Sequence, residues 1–165
     1  MTIDNTTLNT AGVAAGGRLA EIVESRADIM ALTQATEDAV LNPRVAGGLS
    51  PTLRVALACR MARLSQVATL AAHYETRLSN LEAEAAGSRL ADPTCTDGGN
   101  PRDTAILRHV DLVSQSPKTA VQGDIVALRD AGMAEADIVR LAELIAFVNY
   151  QLRVVAGLQL LGDKT

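Results

Sequence analysis

LSPTLRVALACRMARLSQVATLAAHYETRL, residues 49–78, is the stretch whose reading decides the fold. Its head is a helix start. Ser50 offers a side-chain oxygen to the open amides of a first turn, and Pro51 brings a preset φ where no donor is needed. Helix formers then run on with no Gly or Pro before Gly87. The pattern predicts helix from 51 to about 86, in two pieces meeting near Ser65. On the second piece Val67, Leu70, Tyr74, Leu78 and Leu81 recur at helical spacing as an apolar face. Gln66, Thr69, His73, Arg77 and Asn80 form a polar one.

Working outward, residues 1–16 are small and polar and read as a loose N-terminal arm. The remainder, 17–165, reads as a single all-helical domain. A helix is expected from Gly17 to Leu41, with a break near Ser25 to Asp28, and NPRVAGGLSP (42–51) is a linker. GSRLADPTCTDGGNP (87–101) reads as loop by its breakers. Helices follow over about 102–114, from Ser116-Pro117 to Asp130, and from Ala134 to Leu161. The last carries two adjoining apolar stripes, one through Ile138, Leu141, Ile145, Val148, Leu152 and Val155, the other through Leu144, Phe147, Val154, Leu158 and Leu161. Such a helix is buried on more than one side, and in a small chain part of that surface is expected to meet another subunit.

Composition agrees with an all-α class. Hydrophobic residues make up 48% and aromatic ones 2%, so the core is built from Ala, Leu, Val, Ile and Met. A net charge of -4 without a basic block excludes nucleic acid as an expected partner. The N-terminus lacks a signal-peptide pattern, and no uninterrupted apolar run of membrane length is apparent, so the expected location is cytoplasmic with no membrane partner. The two cysteines sit in unlike contexts and read as reduced thiols. Cys59 shares its face with Val55 and Ala62, which suits a small buried hydrophobe. Cys95 is a loop thiol with no base near it in sequence. Asp97 to Asn100 lacks the ligand ladder of a calcium loop, and AGVAAGG (11–17) follows no strand, so neither a metal nor a nucleotide cofactor is expected. Glu75, Glu82, Glu84, Glu135, Asp137 and Glu143 read as solvated charges on helix faces.

Leu49-Ser50, Arg54, Ala58, Leu64, Ala72, His73 and Leu78 fall in order, without a gap, where the core helix pair of one known family carries similar residues. Further on, Leu128-Arg129-x-Ala131-Gly132 closes a proline-opened helix, and Phe147, Asn149 and Arg153 form an F-x-N-x-x-x-R element in a long last helix. On these residues the chain, over about 49–161, resembles the alkyl hydroperoxidase D-like, or carboxymuconolactone decarboxylase-like, family. The resemblance implies an all-α fold assembled as a dimer, trimer or hexamer. Peroxidase-type members carry an acidic residue, a Cys-x-x-Cys pair at a helix start, where the dipole favours thiolate, and a histidine one turn later. Here the acidic position falls on Val55, the cysteine positions on Val67 and Leu70, and the histidine position on Tyr74. His73 lies one residue away, about 100° round the helix, and cannot stand in directly.

Three functions remain open. The first is a non-catalytic member that lost the redox site, a scaffold or a binder of a small apolar ligand capped by the Tyr74 hydroxyl; a related chain that kept its cysteines is a candidate partner. The second is a thiol-independent decarboxylase or lactone-handling enzyme using His73, Tyr74 or His109. The third is a weak peroxidase using Cys59 or Cys95. Against these stand plainer roles: packing for Tyr74 and His109, a surface or subunit contact for His73, and a structural one for Arg153.

Overall fold

Ser50 accepts a hydrogen bond from the Leu53 amide at 3.2 Å and Pro51 takes the first helical position, so the helix begins where the sequence predicts. The computed structural model describes residues 5–81 and 85–162, whose regular structure is all helical, with no strand among them. The helices are α1 (Thr6–Thr10), α2 (Arg18–Glu24), α3 (Ala27–Leu41), α4 (Pro51–Leu64), α5 (Ala68–Asn80), α6 (Ala85–Leu90), α7 (Pro101–Gln115), α8 (Gln122–Asp130) and α9 (Glu135–Gly162). A short 3-10 turn, Pro117–Thr119, precedes α8.

The α4–α5 hairpin is the centre. Every residue of α4 from Leu53 to Ala62 is buried. Gln66, in left-handed backbone with φ 57°, turns the chain, and the Val67 amide reaches back to the Ala62 carbonyl at 3.1 Å. Around this hairpin pack α1, α3, α6, α7 and α9. Two arginines lie inside the most buried helix because each satisfies backbone carbonyls that would otherwise be orphaned. Arg54 donates to Val40 O at 2.8 Å, Ala46 O at 3.0 Å and Leu49 O at 2.9 Å, which closes the C-terminal end of α3 and fixes the linker. Arg60 forms a two-pronged pair with Asp111 at 2.6 Å and donates to Asp92 O at 2.6 Å and Cys95 O at 3.0 Å. It thereby pins the α6–α7 connection to the core.

Several expectations are corrected. The N-terminal arm is not loose over its described part: Asn5 caps α1 by accepting from the Leu8 amide at 3.0 Å, and Leu8, Ala11 and Val13 are buried. The 17–41 segment, by contrast, is parted at Ser25-Arg26, within the break expected near Ser25 to Asp28. The expected loop from 87 begins as the end of α6, and the Pro117 helix is split by Ala120-Val121. Asp137 is not solvated. It is 8% exposed, accepts from the Gly48 amide at 3.0 Å and pairs with Arg140 at 2.8 Å. The Gly47-Gly48 linker is thus clamped onto α9 rather than hanging free. Glu82 and Glu84 lie outside the described residues. Arg153 donates to Asn149 O at 2.9 Å on its own helix.

Helix α9 is 28 residues long and holds an 18-residue window of mean hydropathy 1.4, which in length and composition would suffice to cross a membrane. In the fold its first stripe is core: Leu141, Ile145, Val148, Leu152 and Val155 are buried against the hairpin. Leu144 and Phe147 are buried too, whereas Leu161 is 55% exposed.

Candidate functional site

Val67 leads into α5 with Leu70, Tyr74 and Leu78 following at helical spacing, and this face turns toward the core. Val55 and Leu70 are 1% and 0% exposed, Val67 is 9% exposed, and all three belong to one buried cluster with Cys59 and Tyr74. The positions that the resemblance assigns to a carboxylate and two thiols are therefore occupied by packed hydrocarbon. Cys59 lies in the same layer, fully buried, with its sulfur 3.7 Å from Ala71 O. Burial pushes this thiol up from its ordinary pKa, more than Arg63 draws it down. That is the reverse of what a nucleophilic cysteine needs. Cys95 is half-buried on the α6–α7 connection, its thiol donating to Asp97 O at 3.1 Å.

Tyr74 ends this face on a polar note. Its hydroxyl donates to Gln151 Oε1 of α9. Gln151, wholly buried, uses its Nε2 to donate to Glu37 Oε2 at 2.7 Å and Thr7 Oγ1 at 3.2 Å. Glu37, on α3, is 0% exposed. Its other oxygen accepts from Arg77 Nη1 at 3.4 Å and lies 3.7 Å from His73 Nε2. A buried carboxylate is tolerable only when paired and hydrogen-bonded, and here an amide and a guanidinium supply that. Burial, and secondarily the Glu37 charge, hold the Tyr74 phenol well above its ordinary pKa. Tyr74 is thus a hydrogen-bond donor, not a base. Its ring meets the His73 ring edge-on, with centroids 5.4 Å apart.

His73 consequently has a neighbour that its own helix face does not show. Glu37, four residues before Leu41 and four after Thr33, lies on the one stripe of α3 that is buried, and the sequence reading did not single it out. Gln151 was likewise missed, being one polar residue between the apolar stripes of α9. The only advance signal for either was its place on a buried face, and a partner 114 residues away in sequence leaves no local trace.

His109 is remote from this cluster. It is buried on α7, with Nδ1 lacking a hydrogen-bond partner, and lines a cavity of about 360 Å³ between α7 and α8 with Asp124 and Asp130. Burial lowers its pKa from 6.5, against the opposing effect of Asp124, so it is a neutral packing residue at neutral pH. Neither cysteine joins a histidine and a carboxylate, and among the described residues no three metal-binding side chains converge. An apolar opening lies elsewhere. A groove of about 650 Å³ runs between α3 and α9, walled by Ile29, Leu32, Val40, Ala146, Phe147 and Tyr150, with Glu143 on its edge. The sequence matches no family model and no curated protein.

Proposed function

We propose that this chain is an alkyl hydroperoxidase D-like, carboxymuconolactone decarboxylase-like protein without thiol chemistry, a homo-oligomeric scaffold that binds a small apolar ligand. What carries the reading is the closure of the face on which thiol relatives do chemistry: Val55 at 1%, Leu70 at 0% and Tyr74 at 0% exposure leave no room for substrate. The Tyr74 hydroxyl, spent on Gln151, caps no apolar pocket, so the ligand belongs in the α3–α9 groove. Leu32 at 63% and Ile29 at 40% exposure there offer the apolar contact that a ligand or a second subunit would cover.

The test uses the purified full chain. Hydrogen peroxide with a dithiol reductant should be consumed no faster than in buffer, and N-phenyl-1-naphthylamine should bind saturably, with binding lost in Leu32→Asp. Peroxide turnover abolished by Cys59→Ser or Cys95→Ser would sink the reading, as would failure of the probe to bind. A thiol-independent decarboxylase or lactone-handling activity is the second reading, supported by the Glu37 carboxylate beside His73. Turnover of a small lactone that disappears in His73→Asn would favour it.

A further inference from the structure

Above the buried Glu37 network, apart from the apolar groove, lies a depression of about 650 Å³ between α1 and α5. Asn9 and Thr10 line it from one side, and His73, Arg77 and Asn80 from the other; of all its lining side chains only Ala72 lacks a polar atom. Such a surface has little to offer an apolar ligand. Arg77 spends only Nη1 on Glu37, and its Nε and Nη2 make no hydrogen bond with the described residues. Those two atoms form one edge of the guanidinium plane, the edge that matches both oxygens of a carboxylate. The side-chain amides of Asn9 and Asn80 likewise make no hydrogen bond with the described residues and can meet hydroxyls. Beneath them, the negative charge of Glu37 balances Arg77, so a singly charged ligand is tolerated better than a doubly charged phosphate.

We propose that this depression binds a small hydroxylated carboxylate, with its carboxylate on Arg77 and its hydroxyls on Asn9 and Asn80. Binding has a consequence inside the protein. A ligand carboxylate on the free edge draws the Arg77 guanidinium toward the depression and weakens its contact with Glu37, already long at 3.4 Å. The loosened Glu37 oxygen then turns to His73 Nε2, 3.7 Å away and buried without a hydrogen-bond partner among the described residues. Occupancy is therefore reported as a new carboxylate–imidazole hydrogen bond.

The experiment follows the imidazole nitrogens of the full chain, labelled at histidine, by NMR. Sodium gluconate should shift His73 saturably and leave His109 unmoved. Glucitol, which has the hydroxyls alone, should do nothing, and acetate should bind weaker than gluconate by about tenfold or more. Arg77→Met should weaken gluconate by about tenfold or more, the scale of one charge-assisted contact. Should that variant not fold, Asn80→Ala, altered only at the rim, decides with an expected loss of about threefold. No saturable shift at His73, an equal shift at His109, or an unchanged isotherm in the folded variant would overturn the proposal.

Discussion

Replacing Arg60 by methionine tests how a buried cation holds this fold. Methionine keeps the aliphatic stem and its packing but removes the guanidinium. Two carbonyls, of Asp92 and Cys95, then lose donors at 2.6 and 3.0 Å, and Asp111 loses its two-pronged partner. A hydrogen bond from a charged donor contributes about 1.5–3 kcal/mol, and breaking a fully buried ion pair costs about 3–5 kcal/mol. Asp111 is 32% exposed at its side chain, so water recovers part of the second figure. We therefore expect a loss of about 4 kcal/mol, which for a chain of 165 residues lowers Tm by roughly 8–16 °C. Asp111→Asn should cost somewhat less, about 2–3 kcal/mol, because the buried Arg60 loses its counter-charge but keeps its carbonyl partners. Urea denaturation followed by circular dichroism at 222 nm measures both. In Arg60→Met the connection between α6 and α7 should also become the preferred site of limited proteolysis. A loss under about 1 kcal/mol, or a larger loss for Asp111→Asn than for Arg60→Met, would refute the reasoning.

Three further outcomes are expected. Tyr74→Phe leaves the buried Gln151 Oε1 without a donor and should destabilise by about 1–3 kcal/mol in the same denaturation assay. Gly48→Ala would place a methyl 2.5 Å from Asp137 Oδ2 and 2.9 Å from Arg102 Nη2, prising open the linker clamp; a loss of about 1–3 kcal/mol should appear in its thermal midpoint. His109 has a folded pKa below the 6.5 of the free side chain, so the unfolded chain binds the proton more readily. Its contribution is complete above pH 6.5 and is lost as pH falls toward the folded value; His109→Gln should flatten that part of the stability-against-pH curve.

Much of the architecture was legible locally. The Ser50-Pro51 start, the break after Leu64 and the stop at Gly132 are each written in neighbouring residues. What escaped was long-range compensation. Nothing beside Arg54 or Arg60 in the sequence marks them as buried, because the carbonyls that hold them come from other segments. Threonines and asparagines made the first residues look unstructured, yet Asn5 is a helix cap and the Thr10 hydroxyl satisfies its own backbone at 2.8 Å. At the candidate site, the apolar face through Val67, Leu70 and Tyr74 was readable from spacing. Glu37 was not, because nothing on α3 announces an amide on α9 or an imidazole on α5.

Gln151 joins the hydroxyl of Thr7 to the carboxylate of Glu37, so residues near one end of the sequence are completed by a residue near the other. During translation the first helix leaves the ribosome long before its partner is made. The nascent chain must keep an uncompensated acid and exposed aliphatic surface until position 151 clears the exit tunnel. Stalling within α9 should thus yield an aggregation-prone product, since these contacts close only once residue 151 has been made.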